Sequence, residues 1–238
     1  MLIDPETLEI DLAKLEDIEK ASLRLVVQAL CDYLDDAIKI FRYESDLVAD
    51  IGEDITREAL DKLGMSRIDR RLFGKIDYKR ARYVFHPDYS VKQALFVDSK
   101  AEKVSGKHTA TLQTSQFSMT VRQIRGGRPI EVKGTLPKIV RIYDEKYITT
   151  TIFVKYNYVE NELGKKELHS ITVAALPNGF LQERYNPTPK DGIWLVGRNA
   201  PSRGEAFRVR LSFPRLKSKC NWRVQDIPVP PGVYNWED

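Results

Sequence analysis

Apolar positions in the first part of the chain recur with the period of a helix. Leu12, Leu15, Ile18, Leu25, Leu30, Tyr33, Ala37 and Phe41 fall at roughly helical steps, which predicts an acidic amphipathic helix over 11–43, broken once. A second helix is predicted to follow Glu53-Asp54-Ile55-Thr56, with Asp54 or Thr56 as its cap. The period then changes. Residues 74–86 and 92–101 read as two strands joined by a turn at His86-Pro87-Asp88-Tyr89. Residues 107–119, with Leu112, Gln113 and Gln116, read as a short helix. Residues 147–156 and 170–176 are rich in β-branched and aromatic side chains and read as the strongest strand pair, separated by a polar turn near 161–166. Residues 208–213 are a further alternating strand, and Pro228-Val229-Pro230-Pro231-Gly232 reads as an extended arm or ordered coil. No repeat or linker interrupts the pattern. It predicts one α/β domain over 1–238 with a mixed sheet flanked by helices, 1–65 mostly helical and 66–238 carrying the strands.

Composition narrows the class without naming a function. With 42% hydrophobic and 30% charged residues the chain is an ordinary globular protein, and no run approaches a membrane span. The opening Met1-Leu2-Ile3-Asp4-Pro5-Glu6 is acidic, unlike a secretory leader. Cys31 and Cys220 form no CxxC pair, so no disulfide framework is indicated and a cytoplasmic setting is expected. The charge is unevenly spread. Residues 1–62 hold 17 acidic and 7 basic side chains, a net of −10, leaving 31 basic and 17 acidic, +14, in the rest. A basic body suits a polyanion such as nucleic acid. A solvated basic surface carries the same charge, so charge alone does not decide.

Chemistry enters with two strings, Gly74-Lys75-Ile76-Asp77-Tyr78-Lys79-Arg80 and Leu95-Phe96-Val97-Asp98-Ser99-Lys100. If 86–89 is the hairpin turn, cross-strand partners have numbers summing to about 175–177. Period-2 alternation then puts Asp77, Lys79, Asp98 and Lys100 on one face. Pro87-Asp88 lies ten residues before Asp98-Ser99-Lys100 and tempts a pattern search, but at roughly 3.3 Å per residue Asp88 sits about 30 Å along the strand from Asp98. Asp77 and Asp98, with the Ser99 carbonyl, offer the oxygen ligands that Mg²⁺ takes. Lys100 would stand beside the attacking water of a phosphodiester hydrolysis. His86, His108 and His169 form no motif. Asp-x-Lys alone equally describes an exposed strand with a salt bridge; the facing Asp77 raises the hydrolytic reading to equal weight.

These strings resemble the PD-(D/E)xK nuclease superfamily, and more narrowly its SfiI-type restriction endonucleases. The likeness extends through Leu25-Val26-Val27-Gln28-Ala29-Leu30, Glu53-Asp54-Ile55-Thr56, Arg70-Arg71, Thr111-Leu112-Gln113, Arg184-Tyr185-Asn186-Pro187, Arg203-Gly204-Glu205 and Arg208-Val209-Arg210, in that order. The resemblance implies a restriction-endonuclease-like core and a magnesium-dependent enzyme that cuts both strands of a GC-rich interrupted palindrome. It implies a cognate methyltransferase as well. It matches Asp77 and Asp98 to the metal-binding carboxylates, Lys100 to the lysine, and Glu53 to a further acidic position near the site.

Reading of bases falls to arginine. Arg208 and Arg210, two apart on one strand, share a face while Phe207, Val209 and Leu211 turn to the core, which suits adjacent guanines. Arg198, Arg203 and Lys107 are expected to touch the DNA backbone. A palindrome calls for a homodimer, or a homotetramer built on it. A structure-selective or repair nuclease of the same fold, and a non-catalytic DNA-binding module, remain the competing readings.

Overall fold

The computed structural model describes residues 2–44, 48–65, 81–86, 90–104, 108–162, 164–196 and 209–238. Three helices come first: α1 (Leu12–Asp32), α2 (Leu34–Tyr43) and α3 (Val48–Lys62). The break expected in the first helical stretch falls at Tyr33, which closes α1 by donating its N–H to Ala29 and serves as the N-cap of α2. The Tyr33 hydroxyl donates to Glu58 of α3, tying the three helices together. The capping expected at Asp54 or Thr56 is corrected. Helix α3 already begins at Val48, so both residues lie inside it, and the Thr56 hydroxyl donates back to the Gly52 carbonyl at 3.0 Å.

The main sheet has the order β1 (Ala81–His86), β2 (Val91–Lys103), β7 (Glu145–Glu160), β8 (Lys166–Leu176), β11 (Val224–Pro228), with β6 (Ile139–Ile142) also pairing β7. It is mixed: β2 and β7 run parallel, the other pairs antiparallel. A second sheet sets β10 (Val209–Ser212) between β3 (Thr109–Leu112) and β9 (Trp194–Leu195). A separate hairpin joins β4 (Thr120–Arg125) to β5 (Arg128–Lys133), turning at Gly126-Gly127, both at positive φ as such a turn requires. Two short helices, α4 (Gln182–Tyr185) and α5 (Phe213–Lys219), lie between the later strands.

The helix expected over 107–119 is corrected: 109–112 is strand β3, and only 114–116 forms one 3₁₀ turn. Thr109 and Thr111 alternate with the buried Ala110 and Leu112, a period of two that the β10 pairing rewards.

Alternation along the central strands builds two cores. Leu95 and Val97 of β2, Ile152, Val154 and Tyr156 of β7, and Ile171, Val173 and Ala175 of β8 pack under α1, α2 and α3. On the other face, Phe153, Ala174 and Leu176 pack with Ala110, Leu112, Val209 and Leu211 of the second sheet. Gly52 makes the helical layer possible: a Cβ there would meet Tyr156 at 3.1 Å and the Ala101 side chain at 3.5 Å. The tail is an ordered coil. The Tyr234 hydroxyl donates to Gln225 Oε1 at 2.8 Å, and Arg24 of α1 lies over the Trp236 ring. Among the described residues no helix is long and apolar enough to cross a membrane.

Candidate active site

Strand β2 changes character along its length. Ala94, Leu95, Phe96 and Val97 are buried on both faces; Asp98, Lys100 and Glu102 then follow on the Phe96 face, with buried Ser99 turned the other way. The parallel partner β7 fixes this end, setting Asp98 beside Phe153 and Lys100 beside Lys155. Asp98 is half-buried, and the Lys100 ammonium is paired to Glu102 Oε1 at 2.6 Å.

The β1–β2 register runs Ala81↔Phe96 to His86↔Val91, so partners sum to 177 throughout. The antiparallel pairing and the strand identities expected for 81–86 and 92–101 are therefore present. Asp77, Lys79 and Asp88 lie outside the described residues, as do Lys107, Arg198, Arg203 and Arg208. Among the described residues no group of three or more His, Cys, Asp or Glu side chains could hold a metal ion.

Glu53 comes from the helical layer. It is half-buried and follows Gly52, where an added Cβ would lie 3.5 Å from the Ala101 side chain. Arg210 stands on the central strand of the second sheet, opposite Thr111 and Leu195. Its neighbours Val209 and Leu211 are fully buried, as the alternation predicts, and its Nε is buried with no hydrogen-bond partner among the described residues.

A family model for the type II restriction enzyme SfiI matches residues 31–227. This chain belongs to the SfiI family of type II restriction enzymes. It is 38% identical over 233 residues to the type II restriction enzyme SfiI of Streptomyces fimbriatus, covering 92% of this chain and 86% of the relative. The crystal structure of tetrameric restriction endonuclease SfiI bound to cognate DNA superposes with a TM-score of 0.82 at 35% identity, over 98% of this chain and 91% of that one. The restriction endonuclease BglI, solved on its DNA recognition sequence, shares the fold with a TM-score of 0.73 at 16% identity, over 95% and 94% of the two chains. The fold is thus that of restriction endonucleases, a mixed sheet flanked by helices.

Two polar residues beside Lys100 lie outside the motif that the sequence offers: Glu102 and Lys155. Each left a signal. Glu102 continues the period-2 face of Asp98 and Lys100, and Lys155 is the one charge inside the apolar run 147–156.

Proposed function

We propose that this protein is a Mg²⁺-dependent type II restriction endonuclease that hydrolyses both strands of DNA at a GC-rich interrupted palindrome, leaving 5′-phosphate ends. The observation that carries this is the placement of Asp98 and Lys100 on one face at the polar end of β2, in a strand whose register with β1 sums to 177. Asp77 is the second carboxylate that the period-two pattern of the sequence predicts for that face. The donors fit the ion: Asp77 and Asp98, with the Ser99 carbonyl, are hard oxygen ligands of the kind Mg²⁺ takes. Bound there, the ion would supply an activated water and offset charge on the phosphate. Asp77 and Asp98 orient the site, Lys100 stabilises the developing negative charge, and Glu53 is a further acidic contributor from α3.

Arg208 and Arg210 would read guanine edges, a reading supported by the place of the half-buried Arg210 on the central strand of the second sheet. Arg198, Arg203 and Lys107 would hold the phosphate backbone. The working unit is a homodimer with one site per strand, and the tetrameric state of the SfiI relative supports assembly of such pairs into a tetramer. The enzyme would act in the cytoplasm beside a cognate methyltransferase.

Incubation of the protein with long duplex DNA and Mg²⁺ tests this. Discrete fragments with mapped, common ends are expected. A smear would favour a structure-selective or repair nuclease, and intact DNA that is nonetheless tightly bound would favour a non-catalytic module.

A further inference from the structure

Three charged side chains adjoin one another on the sheet face that carries Asp98. Lys100 of β2 and Lys155 of β7 are register partners, and Glu102 lies two residues beyond Lys100 on the same face. One Glu102 oxygen takes Lys100 at 2.6 Å and the other takes Lys155 at 3.1 Å. Lys155 is the unusual member, because its side chain is only 5% exposed. A buried ammonium is costly unless paired and hydrogen-bonded. Lys155 has both: the Glu102 carboxylate, and the backbone carbonyl of Thr109, to which its Nζ donates at 3.2 Å. Burial pushes the Glu102 carboxyl up, but the two lysines more than offset this and hold it below the ordinary range, so it is ionised at neutral pH.

Thr109 leads into the second sheet. It belongs to β3, where it pairs with Ser212 of β10 while Thr111 pairs with Arg210. One chain of contacts therefore runs from the strand of Arg210, through the Thr109 carbonyl, Lys155 and Glu102, to Lys100.

We propose that Glu102 and Lys155 are positioning residues for Lys100, with Lys155 fixing Glu102 against the sheet that carries Arg210 and Glu102 fixing the Lys100 ammonium. This rests on the reading of Lys100 as the catalytic lysine. A lysine on its four-carbon stem has many rotamers in open surroundings. Lys100 is more than a third exposed, and Glu102 selects one position for it. Lys155, pinned by two partners under the second sheet, prevents Glu102 from following Lys100 outward. The arrangement ties the seat of the lysine to the strand that would meet the bases.

The test is single-turnover cleavage of one cognate duplex with Mg²⁺ and enzyme in excess, beside cognate affinity measured with Ca²⁺ in place of Mg²⁺ and thermal unfolding. Glu102→Gln is expected to slow cleavage about 10- to 100-fold, the range for groups that orient a catalytic residue, with affinity unchanged. Lys155→Met is expected to do the same. The double variant Glu102→Gln/Lys155→Met should be no slower than the slower single, because both act on one target. The double leaves no buried charge unpaired, so it answers the question even where a single variant fails to fold. A parental rate in the folded double variant, losses that multiply, or a lower unfolding temperature with an unchanged rate would each overturn the proposal. Lys100→Met separates the two levels. If it is dead while Glu102→Gln cuts normally, the positioning role alone fails; if it cuts normally, the reading of Lys100 fails and takes this proposal with it.

Discussion

Arg223 and Glu19 meet at 2.7 Å with both side chains fully shut off from solvent. Glu19, on α1, also accepts the Asn178 backbone N–H at 2.7 Å, and Arg223 Nε donates to the Tyr185 hydroxyl at 2.6 Å. Burial alone would make the guanidinium easier to deprotonate, but the Glu19 charge outweighs it and holds Arg223 firmly cationic. The pair pins the first helix to the far end of the main sheet.

Removing one partner strands the other charge in the core. Arg223→Met is expected to cost about 3–5 kcal/mol in a urea unfolding experiment. Adding Glu19→Gln should recover part of that loss. A single variant as stable as the parent would show that the pair contributes nothing.

Helix α3 rests on the strand that carries Asp98. At Gly52 even one methyl lies 3.1 Å from the Tyr156 ring, so the larger Gly52→Val must push helix and strand apart. The expected cost is about 1–3 kcal/mol, with slower DNA cleavage by the protein that remains folded. Parental stability and rate together would mean that the contact is slack.

The choice of carboxylate is open to direct trial. Asp77→Ala and Asp98→Ala are expected to abolish cleavage with DNA binding retained. Asp88→Ala should cut nearly as the parent does. Gel-shift and cleavage assays on one duplex decide it, and a dead Asp88→Ala that still folds and binds would reverse the assignment.

Arg210→Ala separates reading from steering. Cognate cleavage should fall by the equivalent of about 1–3 kcal/mol for one lost bidentate contact, with nonspecific affinity largely kept. A uniform loss of affinity for all sequences would make Arg210 a backbone contact instead.

Acid should weaken the fold. Asp36 is held below its ordinary value chiefly by a hydrogen bond from Lys62, Glu145 by one from Lys92, Glu160 by one from Lys103 and Asp238 by one from Lys20. Each binds a proton more readily unfolded than folded. Their contribution is therefore full above the unfolded value of about 4 and lost as pH falls through the folded one. The urea midpoint should hold from pH 7 to about 5 and drop below it; a midpoint that rises on acidification contradicts this.

Legibility in the sequence followed the strength of local periodicity. The 3.6-residue period of α1 and α2 and the β-branched runs of β7 and β8 are statements about burial, and burial is what the fold delivered at Leu15, Ile18, Val154 and Val173. The start of α3 is not legible locally: Glu53-Asp54 resembles a helix start, yet the helix begins at Val48 and packs at Gly52 on Ala101 and Tyr156. Residues 107–119 hide their strand locally, because the four residues of β3 owe their strand form to a partner, β10, about a hundred positions away. The Asp98 and Lys100 pair was legible as a shared face. The Lys155 anchor was not, because the buried ammonium is held by partners distant in the chain, Glu102 and the Thr109 carbonyl among them, and no local pattern reports either.

The parallel pairing of β2 with β7 has a consequence for how the molecule comes into being. Between the two strands run β3, the β4–β5 hairpin and β6, so the ladder that sets Lys100 beside Lys155 closes a long loop and is among the slow events of folding. Until it closes, β2 lacks the neighbour that holds its polar end in place. A chain still emerging or half folded thus carries the residues of a nuclease without the nuclease, and competence to cut arrives together with the finished sheet.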